Sequence, residues 1–135
     1  MTHLARHLIA GLLVLAFSPP AVTAQASNAL EQVEIFATCS GRLAALAAKQ
    51  RAIRGPDAHE HERLRLEFDT LVEAVLPFAM AEGIQDRQPK RWRGGGWSEM
   101  AFLLADMEYS VDPRRVDHAR SMLKDRIASC RALVF

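Results

Sequence analysis

The chain has few cysteines (two) and few aromatics, which make up 7% of its 135 residues and include a single tyrosine. Two cysteines cannot build a disulfide-dense mini-scaffold. Neither stands in a Cys-x-x-Cys or Cys-x-x-Cys-His pattern, so thioredoxin-like redox chemistry and covalent haem are excluded. With 7 glycines and 6 prolines the chain is neither collagen-like nor low-complexity. Neither sign of charge is in excess. The formal net charge of +1 lacks the strong basic bias of a nucleic-acid binder and the imbalance of a disordered chain. No apolar run approaches the roughly 20 residues of a bilayer-spanning helix. What remains is a chain that is 50% hydrophobic and 24% charged, enough to pack the core of one domain.

Met1–Ala24 reads as a cleavable secretory signal peptide. His3, Arg6 and His7 form a weakly basic start, Leu8 to Phe17 is an apolar run of signal-sequence length, and Ser18-Pro19-Pro20 breaks it. Small residues at Val22-x-Ala24 or Ala24-x-Ala26 offer two cleavage positions. No lipid-anchor cysteine follows and no twin arginine precedes the run. Removing Met1–Ala24 takes away Arg6 and no acid, leaving 16 basic against 16 acidic residues. The expected address is a bacterial periplasm, with one domain over 27–135.

An even cysteine count in an exported chain predicts a Cys39–Cys130 disulfide. Cys130 belongs to the stripe Val116, Ala119, Leu123, Ile127, Cys130, Val134, and Cys39 to the flank Phe36, Cys39, Leu43, Leu46. Both spacings turn the sulfur toward a neighbouring helix.

The rest predicts four helices. Ser27 can cap a helix over 28–54, with Leu30, Val33, Phe36, Ala37, Leu43, Ala44 and Ala47 on its apolar face, ended by Gly55-Pro56. Five alanines between 37 and 48 leave room for another helix to approach closely. Asp57-Ala-His-Glu60 has the form of a capping box, and Leu64, Phe68, Leu71, Val75 and Phe78 continue a second helix until Pro77 kinks or ends it. Glu82 to Gly96 reads as an extended irregular stretch. A third stripe follows in Trp97, Met100, Ala101, Leu104, Met107 and Val111, and Asp112-Pro113 opens a fourth helix that runs nearly to Phe135. Short turns make these antiparallel neighbours, hence an all-α, up-down-up-down four-helix bundle.

Cys39-Ser-Gly-Arg-Leu43, Leu76-Pro77, Trp92-x-x-x-x-Trp97 and Cys130-Arg-Ala-Leu133 resemble a group of small exported all-helical bacterial proteins. These carry one cysteine in the first mature helix and one in the last. The resemblance covers most of the mature chain and implies that architecture, with no activity or site attached. The Gly94-Gly95-Gly96 run departs from it where a helix is expected.

Three segments invite a chemical reading. His59-Glu60-His61-Glu62 has two histidines, but residues two apart on a helix point about 200° from each other and cannot share an ion. Position 63 is arginine, where a His-Glu-x-x-His site needs its second histidine, so both histidines are expected on a solvated first turn, with no metal and no cofactor. No Gly-x-Ser-x-Gly elbow is present, and no pair of acids sits in apolar surroundings that would split their pKa values. The third segment concentrates Arg87, Lys90, Arg91 and Arg93 with Trp92 and Trp97. In a flexible stretch these six are candidate contacts for an anion or a membrane surface.

The sequence therefore predicts an exported, non-catalytic binding or interaction protein with a protein or cell-envelope partner and no nucleic acid. A periplasmic acid-stress chaperone is one alternative. A cell-envelope anion or membrane-surface binder, making peripheral contact through residues 87–97, is the other.

Overall fold

The computed structural model describes residues 28–134. The expected leader, its two cleavage positions, Ser27 and Phe135 lie outside them. The described chain is an all-α four-helix bundle, formed by α1 (Ala29–Ala52), α2 (Ala58–Ala81), α3 (Gln88–Tyr109) and α4 (Pro113–Arg131). Helix α1 packs against both α2 and α3, while α4 lies on α3 and more lightly on α1.

The local signals hold in part. Asn28, not Ser27, caps α1: its Oδ1 accepts the Glu31 N–H at 2.7 Å. The helix stops at Ala52, two residues short of the expected end, and the left-handed residue that reverses the chain is Arg54 (φ 54°), not Gly55. The Gly55 N–H reaches back to the Gln50 carbonyl at 2.8 Å and the Arg54 N–H to that of Arg51 at 3.2 Å, which satisfies two end carbonyls. Helix α2 ends on the same motif with glycine in the left-handed place, Gly83 at φ 97°.

The capping box does not form. Asp57 has backbone angles of −86° and 2°, its side chain caps nothing, and Glu60 turns to Arg131 at 2.6 Å. Pro77 stays inside α2, which runs four residues beyond it. The buried side of that helix is His61, Leu64, Phe68, Val72 and Ala79, and Phe78 is exposed. The expected stripe is one step off at its end, because positions 72 and 79 are seven apart and continue the 61–68 face.

The largest correction concerns Glu82–Gly96. Only the turn up to Arg87 is irregular, and α3 opens at Gln88 with proline in its first turn and carries all three glycines. The reason is a backbone crossing. A Cβ added to Gly96 would lie 3.0 Å from the Thr38 carbonyl carbon and closer to its oxygen. One added to Gly41 would lie 2.8 Å from the Arg93 carbonyl carbon and 2.9 Å from the Trp97 nitrogen. Glycine at 41 and 96 lets α1 and α3 touch main chain to main chain, flanked by the buried alanines 37 and 45.

Two apolar clusters follow. One gathers Leu43, Leu46, Leu64, Phe68, Met100 and the two cysteines. The other gathers Val33, Ala37, Val72, Ala79 and Ile84, with Trp92 packed on it. The expected bridge is present: Cys39 and Cys130 are bonded across a Cα separation of 5.6 Å, and both are buried. Asp112 caps α4 by accepting the Arg114 N–H at 3.0 Å, as its sequence predicts, although α4 ends at Arg131 and Val111 is fully exposed in the turn before it.

Candidate functional site

Winding residues 87–97 onto a helix divides them. Positions 87, 90 and 91 recur at helical spacing, and Arg87, Lys90 and Arg91 line one open surface cleft of about 510 Å³. All three are exposed, and none makes an ion pair among the described residues.

Arg93 turns the other way, toward α1 and α2, with its side chain 41% exposed. Its Nη2 pairs with Asp69 Oδ1 at 2.6 Å and its Nε donates to Ser40 Oγ at 3.2 Å. The Ser40 hydroxyl in turn donates to Asp69 Oδ1 at 2.6 Å, and Arg65 holds the other carboxylate oxygen at 2.5 Å. Ser40 is wholly buried. The cluster ties α1, α2 and α3 together, and its serine proton already belongs to a carboxylate shared by two guanidiniums, so it is a structural tie.

A second tie crosses the other side. Glu99 of α3 accepts from Arg42 of α1 at 2.8 Å and from Arg126 of α4 at 2.6 Å, while Arg42 Nη1 lies 3.8 Å from Cys130 Sγ. Burial works to raise the Glu99 pKa, but the hydrogen bonds and charges of the two arginines outweigh it and hold the carboxyl below its ordinary value.

The tryptophans separate as well. Trp92 is half-buried against the Val33 cluster. Trp97 is 47% exposed and borders a groove between α1 and α3 that includes Ala45, Ala48, Leu104 and Tyr109. On the same helix Phe102 is 73% and Tyr109, at the far end of that groove, 75% exposed, and neither belongs to an expected stripe. Their signal was available: both are aromatic and both fall outside the 97–100–104–107 stripe.

The histidines also part company. His59 and His118 are exposed, but His61, expected in solvent, is buried and its Nδ1 has no hydrogen-bond partner. Burial pushes its pKa below the ordinary value. Asp57 and Glu60 oppose that shift, and the Arg131 charge adds to it. Among the described residues no three His, Cys, Asp or Glu side chains gather as a metal site would require, and no helix is long and apolar enough to cross a membrane. No protein-family model, curated protein or solved structure matches the chain.

Proposed function

We propose that the chain is an exported, non-catalytic binding protein, a disulfide-braced four-helix domain that meets a protein partner through the outer side of α3. The observation that carries this reading is the contrast between used and unused groups. The chemically versatile side chains at the helix crossing, Ser40, Asp69, Arg93, Glu99, Arg42 and Arg126, are all engaged in ties between helices. The large aromatics Phe102 and Tyr109, with Trp97 adjoining, stay open to solvent on one helix. Exposed aromatic patches of this kind mark contact surfaces, and aromatics dominate the energetics of protein interfaces.

Mass spectrometry of protein recovered from the periplasm tests the export half of the proposal. The expected species lacks Met1–Ala24 or Met1–Ala26 and is two hydrogens lighter for the bridge. An uncleaved chain with two alkylatable thiols refutes it. A photo-crosslinker placed in cells at Phe102 or Tyr109 tests the surface, with Lys124 on α4 as the control. A discrete crosslinked species from the α3 positions alone is expected, and identical patterns from both helices refute it.

A second reading, the acid-stress chaperone, is favoured by Glu99 of α3, which holds Arg42 of α1 and Arg126 of α4. Its protonation would loosen the contacts among these three helices. Suppression of client aggregation at pH 2–3 is the expected result, and none at any acid pH removes the reading.

A further inference from the structure

The two ends of the Cys39–Cys130 bridge have different surroundings. Cys39 helps to line an open cleft of about 480 Å³, with Glu31, Glu34 and Arg42 of α1 on one side and Leu133, in the turn beyond α4, on the other. Cys130 is absent from that lining, and it is 1% exposed against 3% for Cys39. The nearest guanidinium stands at the other sulfur: Arg42 Nη1 is 3.8 Å from Cys130 Sγ. Arg42 shares Glu99 with Arg126, so beside Cys130 two cations answer one carboxylate.

We propose that the bridge is a site of thiol–disulfide exchange with a fixed direction, at which an aminothiol enters the cleft, attacks Cys39 Sγ and displaces Cys130 as a thiolate beside Arg42. A bond forms between the incoming sulfur and Cys39 Sγ as the Cys39–Cys130 bond breaks, and the electron pair of the broken bond stays on Cys130. The number of disulfides is unchanged, so the step needs no oxidant or reductant. The Cys130 thiolate can attack Cys39 in return and expel the thiol, which makes the modification a reversible S-thiolation. The direction follows from the two ends: the cleft leads to Cys39, and positive charge at Cys130 favours it as the leaving thiolate. The class of thiol follows from the walls. The attacker is an anion, and Glu31 and Glu34 flank its path without an ion pair of their own among the described residues. An ammonium group carried by the thiol offsets that repulsion. The inference rests on the bridge alone and uses neither export nor the α3 aromatics, so it and the preceding section can fail separately.

The test treats the oxidised protein with cysteamine, blocks free thiols with iodoacetamide and reads tryptic peptides by mass spectrometry. Cleavage after Arg42, Arg126 and Arg131 puts the two cysteines on separate peptides. Cysteamine on Cys39 and the alkyl label on Cys130 are expected, and cysteamine on Cys130, or on both alike, overturns the proposal. The rate should be first order in thiol and unchanged by urea below the unfolding transition. A rate that climbs with urea as global unfolding does overturns it, because exchange would then belong to the unfolded chain. At equal thiolate concentration cysteamine should react roughly five-fold faster than mercaptoethanesulfonate at low salt. That gap should close toward 1 M salt, where the Debye length is about 3 Å, and should narrow in Glu34→Gln. Equal rates for the two thiols at low salt overturn the approach through the cleft. Arg42→Gln should slow exchange roughly ten-fold, and Arg42→Lys, which keeps a positive charge there, should recover most of the rate. Loss of the Arg42–Glu99 pair by itself would loosen the helices and speed reduction, so a purely structural role for Arg42 predicts the opposite sign. A rate in Arg42→Gln equal to or above that of the parent overturns the proposal.

Discussion

The three consecutive glycines of α3 provide an internally controlled experiment on how α1 and α3 meet. A Cβ at Gly94 or Gly95 finds no atom within 4 Å, whereas one at Gly96 collides with the Thr38 main chain. Alanine at 94 or 95 therefore gains helix propensity at no steric cost, and each substitution should stabilise the domain by about 1 kcal/mol. At 96 the same gain is opposed by overlap with a backbone that cannot rotate away. Ordinary contact begins at 3.4 Å, so the helices must part by about 0.4 Å for the Thr38 carbonyl carbon alone and by more for its oxygen. That separation loosens the buried Ala37 and Ala45 contacts and stretches the Arg93–Asp69 pair. Overpacking of this kind costs about 1–3 kcal/mol, and more where backbone meets backbone. After the propensity gain, Gly96→Ala should destabilise by about 2 kcal/mol, or lower Tm by roughly 8–16 °C for a domain of this size. Gly41→Ala should behave alike, since it meets the same crossing from the other side. Urea and thermal unfolding of the oxidised single variants measure all four. A destabilised Gly94→Ala and Gly95→Ala together with a neutral Gly96→Ala would return this segment to an irregular stretch and refute the crossing.

The two chain reversals predict opposite responses. Arg54→Gly should stabilise by about 0.5–1 kcal/mol by relieving a left-handed non-glycine residue, and Gly83→Ala should destabilise by about 1 kcal/mol, both read from denaturant midpoints. Replacing both cysteines by alanine opens a loop of 91 residues and should cost up to about 4.5 kcal/mol, measured against the oxidised parent under identical conditions. The acid limb of stability should have two steps of the same sign. His61 has a folded pKa below its ordinary 6.5, so the folded state resists its protonation and stability is lost as pH falls below that value. Glu99, held below its ordinary 4.5, contributes stability that is fully present above that value and lost as pH falls through its lowered pKa. His61→Gln should flatten the first step and Glu99→Gln the second; urea unfolding from pH 7.5 to pH 3 checks both, and an unchanged parent-like profile in either variant refutes its assignment.

The fold was legible where the periodicity was long and the signal chemical. Cys39 and Cys130 lie on stripes that several neighbours define, so a slip of one residue would have turned them to solvent, and the bridge is where the pattern puts it. Asp112-Pro113 likewise caps α4. The signals that failed are those with local competitors. Asp57 has the residue type of a cap, yet Glu60 is drawn to Arg131, a residue 71 positions away that no local rule includes. Gly55 looks like the helix stop, but the chain reverses one residue earlier at Arg54, because the two end carbonyls are reached from there. The glycine run failed for the most instructive reason. Glycine lowers helix propensity by about 1 kcal/mol per residue, so a local reading breaks the helix, whereas the contact that compensates is made with Thr38, 58 positions upstream. The matching clue lay in α1, where five alanines and Gly41 leave one side of the helix nearly bare.

The same misreading hid the division of the basic stretch. Taken as a flexible loop, residues 87–97 form one pool of cations and tryptophans. Wound on a helix, residues on opposite sides serve different ends. Arg93 and Trp97 are four apart and turn toward α1, where the guanidinium closes the Ser40–Asp69 tie and the indole edges the groove by Ala45. Arg87, Lys90 and Arg91 turn outward and keep their charge unneutralised. The helix thus sorts one composition into a tie and a surface by angle alone. The glycines are what permit it, since only a helix that can seat its main chain on α1 carries Arg93 deep enough to reach Asp69. Glu99, six residues further along, repeats the arrangement with Arg42 and Arg126. These two carboxylates therefore fasten all four helices around the crossing, and the end of the bundle beyond it is left to present unpaired charge.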